Sequence, residues 1–141
     1  MSNSISPLKH FNNTISLFIN DLKHIFGEDD KEILLIEGAF DLTKINVRLF
    51  ITPFQKYVAS NNDFRDGLIS QDVDFFINYD FKKLIPDSKH SLNLLEKFRS
   101  AAVLRREDKK TLDAIFNWFK ILFYYSYLDE GKDVSELCKT L

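Results

Sequence analysis

Apolar positions recur at helical spacing along most of the chain, and the longest such run lies at 107–128, EDKKTLDAIFNWFKILFYYSYL. Leu112, Ile115, Phe116, Phe119, Leu122 and Phe123 repeat at steps of three and four, which places them on one side of a helix. Trp118, Tyr124, Tyr125 and Tyr127 widen that stripe, so little of the helix's second half can face water. Glu107 and Asp108 stand where negative charge meets the positive end of the helix dipole, and Gly131 follows the expected end. The pattern predicts the central helix of an all-helical domain.

The same periodicity predicts the other elements. Ser6 and Pro7 suit the N-cap and first position of a helix over 7–26. Its seam of Leu8, Phe11, Ile15, Phe18, Leu22 and Ile25 packs on another helix, and Gly27 closes it. A second helix is expected over 30–39, burying Ile33, Leu34, Ile36 and Phe40. A third is expected over 42–59 with Asp41 as its cap and Ile45, Leu49, Phe50, Phe54, Tyr57 and Val58 inward. Pro53 predicts a kink or break near 50–52. Residues 60–63 read as a loop. Asp72 and Asp80 then cap two short helical stretches before Pro86, and Asp87 or Ser88 caps a helix over 89–104 that buries Leu92, Leu94, Leu95, Phe98 and Ala102. The fold expected is all-α: a compact single-domain bundle of about five or six helices over 1–141, with 1–6 and 132–141 loosely ordered.

Composition changes this picture little. The 141 residues suit one domain with a substantial core, and a formal net charge of -2 supplies no general attraction to nucleic acid or anionic membrane. No apolar run reaches the roughly 20 residues that cross a bilayer, and the N-terminus has no secretory pattern. The single cysteine, Cys138, excludes an internal disulfide framework. Abundant Phe, Ile, Leu, Asn and Lys match an AT-rich coding sequence.

Motifs for catalysis or metal binding are absent. A calcium loop beginning at Asp72 would need an oxygen ligand at Phe76, glycine at Ile77 and glutamate at Lys83, and none is there. His10 and His24 on one helix would stand about 21 Å apart, too far for one ion; His90 has no ligand spacing with either. Cys138 lacks a protease signature, and the chain has neither a serine-nucleophile elbow nor a phosphate-binding glycine loop. The expectation is a non-enzyme with no cofactor and no metal.

Two features point to binding. Phe75, Phe76 and Tyr79 lie in a short irregular stretch and Tyr124 and Tyr125 crowd a helix end; aromatic excess of this kind marks protein interfaces. These five are the expected partner-binding residues. Arg105, Arg106, Lys109 and Lys110 surround a helix start and form the alternative, a nucleic-acid contact.

Taken together, FINDLKHIFGED at 18–29, DVDFFINYDF at 72–81 and the tryptophan helix at 111–128 resemble a family of small helical proteins of large nucleocytoplasmic DNA viruses. Gly27 stands where a proline is commoner in that family. The resemblance implies a viral protein of the host cytoplasm or virion that works through protein–protein contact, as a virion component or accessory factor. Its partner would be a viral or host protein or a second copy of itself, with no membrane involved. A modulator of host signalling or cell death is a further alternative. The family brings no catalytic residues to carry over.

Overall fold

The computed structural model describes residues 6–135, and among these the chain is all-α with no strand. Eight α-helices succeed one another in this span: α1 (Pro7–Phe26), α2 (Lys31–Asp41), α3 (Ile51–Pro53), α4 (Asn62–Ile69), α5 (Val73–Asn78), α6 (Phe81–Leu84), α7 (Lys89–Leu104) and α8 (Lys109–Asp129). The expected count of five or six is exceeded because α4 replaces part of a predicted loop and the short stretches expected after Asp72 and Asp80 stand as separate helices, α5 and α6; of the helix expected over 42–59 only α3 is α-helical. Of the loosely ordered ends expected at 1–6 and 132–141, residues 1–5 and 136–141 lie outside the described residues.

Polar caps set most of the starts. Ser6, Asp30, Asn61, Asp72, Asp80, Ser88 and Asp108 each accept a hydrogen bond from the amide three residues on, satisfying a donor that the first turn leaves free. Gly27 closes α1 at φ 95°, a backbone conformation that costs a glycine little.

The segment 42–50 departs most from expectation. A 3-10 turn at Leu42–Lys44 follows α2, and the chain then leaves the helical path until Ile51. Asp41 makes no side-chain cap. Two long-range ties hold the excursion. The Asn12 side-chain amide donates to the Val47 carbonyl at 2.9 Å, and Arg48 donates to both Asp129 oxygens at 3.0 and 2.9 Å. The break expected from Pro53 near 50–52 falls just upstream, at 45–50, and Pro53 itself sits in the first turn of the resumed helix. The Thr52 amide donates to the Arg48 carbonyl and the Phe54 amide to the Phe50 carbonyl, both at 3.2 Å, and Pro53 between them has no N–H to donate. Phe54–Ala59 continues as a π-helical turn.

α1 lies along α8 in the most extensive helix pairing, and α7 packs against α2, α5, α6 and α8. Phe11, Phe18, Phe98, Phe119 and Phe123 are fully buried between these layers. Phe54 meets Phe11 edge-on at 5.3 Å and Phe123 at 5.2 Å, so the π-helical turn delivers its aromatic to the α1–α8 seam. Burial of rings on this scale is the main favourable term holding the bundle together.

Candidate functional site

The aromatic residues singled out in the sequence are largely structural. Asp72 starts α5 by accepting from the Phe75 amide at 3.1 Å. Its carboxylate therefore serves as a helix cap. One turn along, Phe76 is completely buried against Phe81, Phe116 and Phe119, with ring centroids 5.5, 5.8 and 5.5 Å away. It offers a partner no surface. Phe75 and Tyr79 are half-buried on Phe64, and the Tyr79 hydroxyl accepts from the Asn61 side chain at 3.2 Å. Tyr125 stacks on His10 at 4.8 Å, with half-buried Tyr124 edge-on beside it. Four of the five thus show only their outer parts.

The basic residues Arg105, Arg106, Lys109 and Lys110 are all exposed at the α7–α8 turn. Arg106 pairs with Asp74, and Lys109 lies 3.5 Å from Asp113. The α8 N-terminus is already occupied. Asp108 accepts from the Thr111 hydroxyl at 2.8 Å and from its amide at 3.2 Å. The hydroxyl first, and then the amide, hold its carboxyl below the ordinary value of 3.8. A phosphate approaching this helix end meets a fixed carboxylate.

Between α1 and α8 lies an open cleft of about 310 Å³. Leu22 and Ile115 line it from the core, while Asp21, His24, Lys110 and Trp118 supply its polar groups. The Trp118 indole N–H donates to Asp21 at 2.5 Å, so that carboxylate has a structural partner. The one hydroxyl lining the cleft, that of Thr111, is held by Asp108 as part of the α8 cap. No group of three His, Cys, Asp or Glu among the described residues is placed to hold a metal ion, and Cys138 lies outside them.

The surface that stands out is apolar and belongs to α2 and the turn beyond it. Leu34 and Leu35 are 50% and 69% exposed, Leu42 44%, Ile45 89% and Val47 50%. Leu34 and Ile45 were expected in the core. α2 needs only Ile33, Ile36 and Ala39 to cover α1 and α7, which leaves Leu34 on the opposite face; Ile45 turns outward as the helix gives way to the 42–50 excursion. The sequence held a usable signal. At 100° per residue, Leu34 and Leu35 fall on the face of α2 opposite Ile33, Ile36 and Ala39. Gly38 lies in its middle, exposed and with nothing within 4 Å of where a Cβ would stand.

Fold and surface together define a small all-α bundle bearing an exposed aliphatic ridge. Comparison with known protein families, curated proteins and solved structures finds no match for this chain.

Proposed function

We propose that the chain is a non-enzymatic protein that acts by protein–protein contact, and that the contact is made by the α2 ridge. The observation that carries this is the exposure of Leu34 and Leu35 on α2 and of Leu42 and Ile45 in the turn that follows, 50%, 69%, 44% and 89%. Single exposed aliphatic residues are ordinary on a protein surface, whereas a contiguous row favours burial against a partner. The viral setting that the sequence resemblance implies, in the host cytoplasm or the particle, is part of this reading.

The test is recovery of bound proteins by the tagged chain, compared with a Leu35→Lys, Ile45→Lys variant. Both sites are exposed, so the variant should melt like the parent. Loss of the specifically recovered proteins is the expected result, and an unchanged set overturns the ridge. Phe76→Ala is unsuited to this purpose, because emptying a fully buried ring site costs about 3–5 kcal/mol and unfolding would mimic loss of contact. The nucleic-acid alternative draws only on exposed cations beside a capped helix end. It requires binding that weakens steeply with salt.

A further inference from the structure

We infer that the open cleft between α1 and α8 is a binding site for a small amphipathic carboxylate, a molecule with an apolar body and one anionic end. The site is separate from the α2 ridge and does not depend on it. The cleft exists because small side chains stand in a seam of large ones. On α8 it is lined by Thr111, Ala114, Ile115 and Trp118, whose spacing of three and four puts them on one face. Thr111 and Ala114 are small where the rest of that helix's inner face carries Phe, Leu and Ile, and about 310 Å³ stays open beside them. Small-molecule sites start at about this size, with an apolar lining and a few polar groups to orient the ligand. Phe18, Leu22 and Ile115 are buried and form the floor, and half-buried Trp118 forms a wall. An apolar body laid there leaves water against an apolar surface.

The polar groups orient the ligand. α1 and α8 run antiparallel, since Asp21 meets Trp118 at one level and His10 stacks on Tyr125 at another. At the Trp118 end the Asp21 carboxylate accepts from the indole N–H, which fixes the ring as a wall and repels an anion. Lys110 lies two turns back along α8, about 12 Å away along the axis. His24, one turn beyond Asp21 on α1, is displaced the same way. Neighbouring Arg106 and Lys109 are paired with Asp74 and Asp113, whereas the Lys110 ammonium makes no ion pair among the described residues. Asp108 already caps the helix end, so an incoming anion meets the ammonium rather than the backbone amides. A carboxylate at Lys110, with its apolar body running over Ile115 towards Trp118, suits both ends of the cleft.

Octanoate serves as the probe and Trp118, the only tryptophan of the chain, as the reporter. At constant ionic strength octanoate should change the Trp118 emission saturably, with half-saturation below about 10 mM for a ligand of this size. Octylammonium, with the same chain and the opposite charge, should bind at least about fivefold more weakly. Lys110→Glu should weaken octanoate by about fivefold or more, and Ala114→Leu, which puts a larger side chain into the cleft, should abolish the response. Both positions are exposed, so both variants should keep the parent's circular dichroism and melting temperature. If Ala114→Leu fails to fold, Lys110→Glu alone decides. A parent that shows no saturable change overturns the site, as does octylammonium binding as tightly as octanoate. Binding that a folded Ala114→Leu variant retains lies outside the cleft, and binding indifferent to Lys110→Glu has no anionic end at Lys110; either result overturns the inference.

Discussion

Trp118 on α8 donates its indole N–H to the Asp21 carboxylate on α1 at 2.5 Å, closing one side of the cleft between the two longest helices. A hydrogen bond to a charged acceptor is worth more than one between neutral groups, and this one is only partly exposed. Trp118→Phe keeps most of the packing and removes the donor. It should destabilise the protein by about 1–2 kcal/mol in urea unfolding followed by circular dichroism. A double-mutant cycle with Asp21→Ala should return a coupling of about 1 kcal/mol, and strict additivity would show the pair to be energetically silent.

Lys97 carries a buried charge. Its ammonium donates to Asp30 at 3.0 Å and Glu32 at 3.1 Å, and lies 3.8 Å from the centre of the Phe26 ring. Lys97→Ala should cost about 3 kcal/mol through lost packing and an uncompensated Asp30. Lys97→Met keeps the stem but leaves Asp30 equally uncompensated, so it should recover only the packing part of that loss, about 1 kcal/mol. Equal losses in the two variants would mean that the charge, rather than the stem, is what matters.

Acid should act through Asp30. Its carboxyl lies below the ordinary 3.8, held there first by the Ile33 amide and then by Lys97, against the opposing effect of burial. A depressed folded pKa gives stability that is complete above 3.8 and is lost as pH falls through the folded value. Asp30→Asn retains a capping oxygen but cannot titrate. Below pH about 4, its stability should fall less steeply than the parent's, as read from urea midpoints. Parallel curves would remove Asp30 from the acid response.

Helices α1, α7 and α8 were legible because each is long, amphipathic and capped, so local preference and tertiary demand agree. Ser6, Ser88 and Asp108 begin them where the pattern placed a polar residue. The 42–50 excursion was not legible. Its path depends on Asn12 reaching Val47 and on Arg48 reaching Asp129, contacts that no local window contains. α4 was hidden because the Asn61–Asn62–Asp63 run reads as a loop, although Asn61 is the cap of the helix that starts at Asn62 and accepts from the Phe64 amide. The site suffered from the same limit. Aromatic content gave no measure of exposure, since Phe76 had unseen partners in Phe116 and Phe119, whereas the outward Leu34 and Leu35 on α2 could have been read.

Gly67 illustrates a close approach in α4. A Cβ there would stand 2.4 Å from two atoms of the Phe75 ring. Gly67→Ala gains helix propensity worth about 1 kcal/mol but must displace that ring. The net expectation is a loss of about 1 kcal/mol in thermal or urea unfolding. A stabilised variant would show that half-buried Phe75 yields freely.

Ser91 predicts a gain. Its hydroxyl is buried without a hydrogen-bond partner and lines a small apolar cavity of about 20 Å³ with Phe50, Phe54 and Leu94. The space could hold one water, but a single polar group is a poor anchor for it. Ser91→Ala should raise stability by about 0.5–1 kcal/mol, because an unmade hydrogen bond is removed with the group that needed it. A loss would indicate that the hydroxyl is satisfied in solution.

The π-helical turn at Phe54–Ala59 bears on how the chain tolerates changes in length. A π turn is a helix carrying one surplus residue, absorbed by a wider backbone ring. Within it Phe54, Val58 and Ala59 remain inward, Gln55 reaches Asp129 and the Ser126 carbonyl, and the Ala59 carbonyl accepts the Tyr127 hydroxyl at 2.8 Å. Deleting the exposed Lys56 would let the turn close to ordinary α geometry, and because the wider ring had absorbed the surplus residue, the backbone on either side would keep its phase. The attachments to α8 on both sides of the deletion would stay in register. The surplus residue therefore works as slack, and a one-residue deletion here should disturb the bundle less than one in the middle of α8, where each residue removed turns the remainder by about 100°.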